Sequence, residues 1–149
     1  MGSQVVIFAL GQEEYGMPIE VVQEITRLAD VRSIPQAPNY VKGLINIRGT
    51  AIPLIDLHIR FGILALSSSS EDKKDNFALI TEVSGSLVAF AVDEVKEVRV
   101  LDNIVPPPPL VTAPFIGGIV NLPNRIIMQL LPERILETEE LSGLTILAS

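Results

Sequence analysis

The sequence predicts an all-β protein with a few short helices, folded as two small barrels or sandwiches around a shared apolar core. Three observations predict it. The chain repeats itself: PIEVVQEITRL (18–28) returns as AVDEVKEVRVL (91–101), and APNYVKGLINIRGTAIPLID (37–56) returns as APFIGGIVNLPNRIIMQLL (113–131). A repeat of this length is one structural unit built twice and stacked on itself. Short β-branched runs alternate with turn residues along the chain, the pattern of many short strands. Finally, 149 residues with 48% hydrophobic and 19% charged side chains suit a globular chain that buries roughly 68–70% of its unfolded surface, not a disordered one. The expected organisation is a single domain, 1–149. Lobe 1 covers about 12–70 and lobe 2 about 75–137, the strand 4–11 is a candidate for sharing between them, and 138–149 is a tail.

Each element follows from local chemistry. VVIFALG (5–11) is β-branched and ends at glycine, so it reads as a strand, with EEYGMPI as its hairpin partner. PIEVVQEITRL suits helix or strand by its spacing, but the valine-rich second copy, VKEVRVL, favours strand. A short turn near 20–22 followed by a strand is therefore expected in both copies. PNYV (38–41) reads as one helical turn with Pro38 near its start. GLINIRGTAIPLIDL is the clearest hairpin, turning at Arg48-Gly49, where glycine supplies a positive φ. The second copy turns at Pro123-Asn124, good turn chemistry of another kind. LHIRFG (57–62) reads as a short helix ended by Gly62, and SSSSEDKKD (67–75) as a polar loop dividing the copies. FALITEV and SLVAFAV pair around Ser84-Gly85. Pro106–Pro109 is extended, because each proline fixes its own φ and restrains its predecessor. PERIL (132–136) starts a helix at Pro132.

The net charge of −7 disfavours a phosphate-backbone binder and docking on anionic lipid. It suits a protein steered toward a basic patch on a partner. Cysteine is absent, which fits a reducing compartment. No apolar run approaches the roughly 20 residues of a membrane span, and the N-terminus lacks the pattern of a signal peptide. A cytoplasmic protein is the simplest expectation.

Little in the chain resembles catalytic machinery. Asp56 and His58 could orient a base for a small hydrolase, but no serine stands in a nucleophile-elbow context, and a partly exposed histidine in a helix turn is the plainer reading. One histidine and scattered carboxylates make no zinc site. Gly43 and Gly117-Gly118 lack phosphate-loop spacing; close backbone packing explains them better. Glu13-Glu14 reads as a solvated turn. The proline run could be a ligand for an aromatic groove, though a stiff connector fits its place within the repeat better. Neither a cofactor nor a metal is expected. Arg48 stands out because turn geometry does not require it: the second copy has Pro123 there. A planar fork of donors suits a partner's carboxylate or backbone oxygens. Val22 and Glu24 recur as Val95 and Glu97, so the pattern is either structural or the lining of a docking groove.

EEYGMPIEVVQEI, IPQAPNYVKGLINIRGTAIPLIDL, AVDEVKEV, IVPPPP and FIGGIVNLPNRIIMQLL, in that order, resemble the CheW family, the coupling proteins of bacterial chemotaxis. The resemblance runs from about Val5 to Leu136, and the stretch Val41 to Leu57 is its most specific part. It implies two pseudo-symmetric five-stranded SH3-like β-barrels with a common core, in a free-standing adaptor without enzymatic activity. The implied partners are the histidine kinase CheA, through its CheW-like regulatory domain, and the cytoplasmic tip of a chemoreceptor, assembled in receptor arrays at the membrane. Nucleic acid is not among them, and the kinase-contacting residues stay unassigned. By the same resemblance, Arg48 corresponds to the arginine of an Asn-x-Arg-Gly hairpin tied to receptor and kinase control. Val22, Glu24 and Val98 correspond to residues of the receptor groove, and Phe77 occupies a groove position that is usually aliphatic. Met128-Gln129-Leu130-Leu131-Pro132 departs from the family's Asp-Leu before the final helix. A related adaptor of twitching or gliding motility is the alternative reading.

Overall fold

The computed structural model describes residues 3–28, 30–62, 77–136 and 140. Its strands, in chain order, are β1 (Ser3–Leu10), β2 (Glu13–Pro18), β3 (Val22–Arg27), β4 (Val41–Ile47), β5 (Thr50–Asp56), β6 (Phe77–Val83), β7 (Ser86–Val92), β8 (Glu94–Leu101), β9 (Ile116–Leu122) and β10 (Arg125–Leu130). Helix α1 (Leu57–Arg60) follows β5, and 3-10 turns occupy Ile19–Val21 and Pro132–Arg134.

The strands form two five-stranded sheets, β8-β1-β2-β10-β9 (sheet A) and β3-β6-β7-β5-β4 (sheet B). Exchanging β1–β5 with β6–β10 turns one order into the other, so the internal repeat is a pseudo-two-fold. Matching strands share their burial: β4 and β9 both alternate buried and half-buried before an exposed asparagine. The bridges Arg32–Leu44 and Val105–Ile119 match as well.

The copies do not make one barrel each, so the expected lobes, 12–70 and 75–137, do not describe how the strands are shared. Hairpin β1–β2 joins a sheet whose other strands come from the second copy, and β6–β7 joins a sheet built from the first. The reason lies in the apolar runs of these hairpins. Val6, Phe8 and Leu10 enter a core common to both sheets, while Val5 and Ile7 face the interior of barrel A. Likewise Val88, Phe90 and Val92 enter the common core, while Ala89 and Ala91 fill barrel B. A strand buried on both faces needs neighbours on both sides, and its sequence is a continuous apolar run. The parallel pairs β2–β10 and β5–β7 complete each sheet, because parallel neighbours require a long connection and the exchange supplies it. An aromatic series then crosses the common core. Phe8 and Tyr15 of sheet A lead to Phe61 after α1, which stacks on Phe115 with ring centroids 4.3 Å apart.

Local expectations fare differently. The β4–β5 turn has Arg48 at φ 52° and Gly49 at φ 86°, both left-handed, and the Asn46 side chain accepts the Gly49 N–H at 3.0 Å. Asp56 caps α1 through the Ile59 N–H, and Gly62 ends it at φ 72°. PNYV is not helical: the Val41 N–H closes a single turn on the Pro38 carbonyl. The second crossover holds only a bend at Asp93, where the first has a 3-10 turn. PERIL begins with a 3-10 turn that has Pro132 at its start. The serine-rich loop 67–75 and the tail from 141 lie outside the described residues. Glycine at 43 is demanded by close packing, since a Cβ there would stand 2.1 Å from the Arg32 carbonyl oxygen.

Candidate partner-docking surface

Sheet B closes across its two edge strands. The chain after β3 bridges to β4 through Arg32 and Leu44, and above that bridge the edges part. Between them lies a cleft of about 230 Å³, lined by Thr26, Arg27, Leu28, Asp30, Ile45, Asn46 and Ile47. Small-molecule sites span roughly 300–1,000 Å³, so this cleft suits one or two side chains of a partner better than a metabolite.

Arg48 follows Ile47, the last residue of the lining, in the chain. The guanidinium Nη1 donates to Glu24 Oε1 at 2.7 Å, and its side chain is 77% exposed. The ion pair therefore joins the β4–β5 turn to β3 across the seam. An exposed pair of this kind stabilises by about 0–1 kcal/mol, while a non-glycine residue in the left-handed region costs on the order of 1 kcal/mol. The fold gains little from arginine here. The matching turn avoids the conformation altogether, because Pro123 cannot adopt it and Asn124 does not.

The other expected site residues fall in two places. Val22 and Phe77 are half-buried and pack against the common core, as does Val95, the counterpart of Val22. That packing explains why the repeat keeps a valine there. Phe77 also carries the Arg27 guanidinium 5.2 Å from its ring centroid, a cation–π contact that accommodates an aromatic ring at this position. Glu24, Arg27 and Phe77 share the β3–β6 pair. Val98 belongs to sheet A, on edge strand β8, opposite Val6, and it is 47% exposed.

Barrel A holds groups that sequence reasoning passed over. Arg125 binds Glu14 and Glu97, each at 2.6 Å. The Arg125 hydrogen bond holds the Glu97 carboxyl below the usual carboxylate range against an opposing effect of burial, with the Arg125 and Arg99 charges assisting. Glu24 and Glu97 are counterparts, but their arginines come from different places, the β4–β5 turn at 48 and the start of β10 at 125, so the repeat could not pair them. Leu110, at the tip of the turn after the proline run, is 93% exposed; in the first copy the corresponding turn has Gln36. A polar residue therefore suffices for the fold at this turn. The run itself is tied down at Val105–Ile119 and at Pro108–Val111.

Asp56 and His58 do not form the expected pair. Asp56 caps α1 and lies 3.5 Å from Lys42, whereas His58 bonds Asp93. No cluster of metal-ligating side chains occurs among the described residues. Nor is any helix among them long and apolar enough to cross a membrane.

Comparison with known proteins agrees with this architecture. Residues 4–140 match the family model of the CheW-like domain. The chain is 34% identical to the chemotaxis protein CheW of Treponema pallidum, covering 95% of this chain and 86% of that one. It is 30% identical to the chemotaxis protein CheW of Klebsiella aerogenes over the same shares. Its fold superposes on the crystal structure of the scaffolding protein TtCheW from Thermoanaerobacter tengcongensis with a TM-score of 0.81. That pair is 35% identical, and the match covers 94% of this chain and 96% of that one. Twin exchanged barrels, a repeat that accounts for them and a match over nearly the whole chain place this protein in the CheW-like domain family.

Proposed function

We propose that this chain is a non-enzymatic adaptor that couples chemoreceptors to the histidine kinase CheA, working in the cytoplasm at membrane receptor arrays. The observation that carries the reading is Arg48. It is an exposed arginine in a left-handed turn, next in the chain to a residue that lines a side-chain-sized cleft, where neither the turn nor stability asks for it. Ser84-Gly85 makes the same left-handed turn without an arginine, so what sets Arg48 apart is its exposed guanidinium and not the turn. The receptor tip docks on the surface containing Arg48, Glu24, Val22 and Phe77, with Val98 contributing from sheet A. Apolar contacts there give affinity, and the charged pair gives orientation and specificity. Leu110, on the turn leading into β9, marks the second face, so that receptor and kinase bind one rigid body together and are linked by geometry.

The test is Arg48→Ala in a reconstituted system of receptor, kinase and adaptor. The variant keeps the wild-type circular dichroism spectrum and loses at most about 1 kcal/mol of stability. Receptor-coupled kinase activity falls by about tenfold or more, as expected for the loss of charge-assisted hydrogen bonds. Unchanged activation by a folded variant removes Arg48 from the site.

A further inference from the structure

His58 is the one histidine of the chain, and it sits where the two sheets meet. Its Nε2 is 2.9 Å from Asp93 Oδ1. The other carboxylate oxygen, Oδ2, accepts the Gly11 backbone N–H at 2.7 Å, and the Asp93 N–H donates to the Ala9 carbonyl. Asp93 is the single residue between β7 and β8, where the chain passes from sheet B to sheet A. Gly11 is in the β1–β2 turn of sheet A, and His58 lies on α1, which follows β5 of sheet B. One carboxylate thus holds both sheets at their crossover. The other crossover differs: by the repeat, Glu20 stands in the place of Asp93 and is exposed, and Glu133 stands in the place of His58.

We propose that His58, Asp93 and the Gly11 amide form a proton-sensitive clasp between the two sheets, tightest when the imidazole is protonated. A neutral imidazole makes an ordinary hydrogen bond to the carboxylate. An imidazolium makes a charge-assisted one, about twice as strong, and histidine exchanges these forms near neutral pH. Among the described residues, the other charged groups near the clasp are engaged elsewhere or exposed. Asp56 of β5 caps α1 and faces Lys42 of β4. Arg60 of α1 is held by Glu140 and the Ile135 carbonyl. Glu14 of β2 is committed to Arg125, β7 carries no charge between Ser86 and Val92, and Glu13 and Glu94 flank the hairpin and β8 at exposed positions. The sign follows. A histidine that gains a carboxylate on folding contributes stability in full below its unfolded midpoint, and loses that contribution as pH rises through its folded midpoint.

A single histidine makes the experiment direct. In the full chain, the imidazole resonances of His58 and the amide resonance of Gly11 are followed by NMR from about pH 5 to about pH 9, a range spanning histidine titration. Both titrate with one shared midpoint. In Asp93→Asn the His58 midpoint falls, and the Gly11 amide no longer follows it. A Gly11 amide that stays still in the wild type while His58 titrates overturns the clasp, and this reading needs no variant to fold. Equal His58 midpoints in wild type and a folded Asp93→Asn overturn it as well. Neither result depends on which partners the chain binds.

Discussion

At the scale of single residues, the informative positions are those where the chain departs from its own repeat. Arg48 against Pro123 is one such place, and the difference was visible in the sequence because the two turns align. Its partner Glu24 was visible too, but not the contact, which spans a seam between strands that are not hydrogen-bonded to each other. Gln129 is a second departure. Its counterpart is Leu54, which is completely buried inside barrel B, and Gln129 itself lies between Gly118 and Gly16 of the neighbouring strands. Its Oε1 is buried without a hydrogen-bond partner among the described residues. An orphaned buried acceptor costs about 1–3 kcal/mol. Gln129→Leu therefore raises stability by about 1 kcal/mol, measured as a higher denaturant midpoint at unchanged slope. An unchanged or lower midpoint means that the amide is satisfied after all. The sequence showed the unusual glutamine but not its burial, because the strand's register sets which face it takes.

At the scale of elements, turn chemistry and apolar runs were legible, and irregular connections were not. The hairpins around Gly11, Arg48-Gly49, Ser84-Gly85 and Pro123-Asn124 follow from residues that fix φ locally. PNYV misled because a proline near a helix start looks the same as a proline in an isolated turn; the next strand begins too soon for a helix to propagate. Glycines 43 and 118 are matched positions with different tolerances. A Cβ at Gly43, where φ is 152°, meets the Arg32 carbonyl oxygen at 2.1 Å, whereas at Gly118 the Ile104 side chain is nearest, 2.5 Å away, and the nearest backbone atom is the Val105 oxygen at 3.2 Å. Gly43→Ala is expected to cost about 2 kcal/mol or more, and Gly118→Ala clearly less, in equilibrium unfolding. Hydrogen exchange in Gly43→Ala should show faster exchange at the Arg32 and Leu44 amides, which bond across this bridge. Equal costs for the two glycines argue against the packing explanation.

At the scale of the whole molecule, the repeat predicted twin barrels, and they are present. It did not reveal that the copies trade hairpins. Periodicity reports which residues are apolar and at what spacing, but not which of two equivalent sheets a hairpin joins. The exchange has a consequence for folding. Each half holds three strands of one sheet and two of the other, so neither half closes a core alone. Fragments 1–70 and 71–149 are each expected to lack a cooperative unfolding transition separately and to regain one on mixing. A half that folds cooperatively by itself contradicts the exchanged topology. The same exchange makes the two barrels one body around a common core, which is what a link between two partners needs: separate lobes on a hinge would let either partner move without the other.

The most direct measurement is sedimentation of purified kinase CheA with receptor-bearing membranes, with and without this chain. The account predicts that the kinase enters the pellet when the chain is added, together with the chain itself, and that Arg48→Ala brings down less of both. Kinase that remains in the supernatant whether or not the folded wild-type chain is present contradicts the adaptor role.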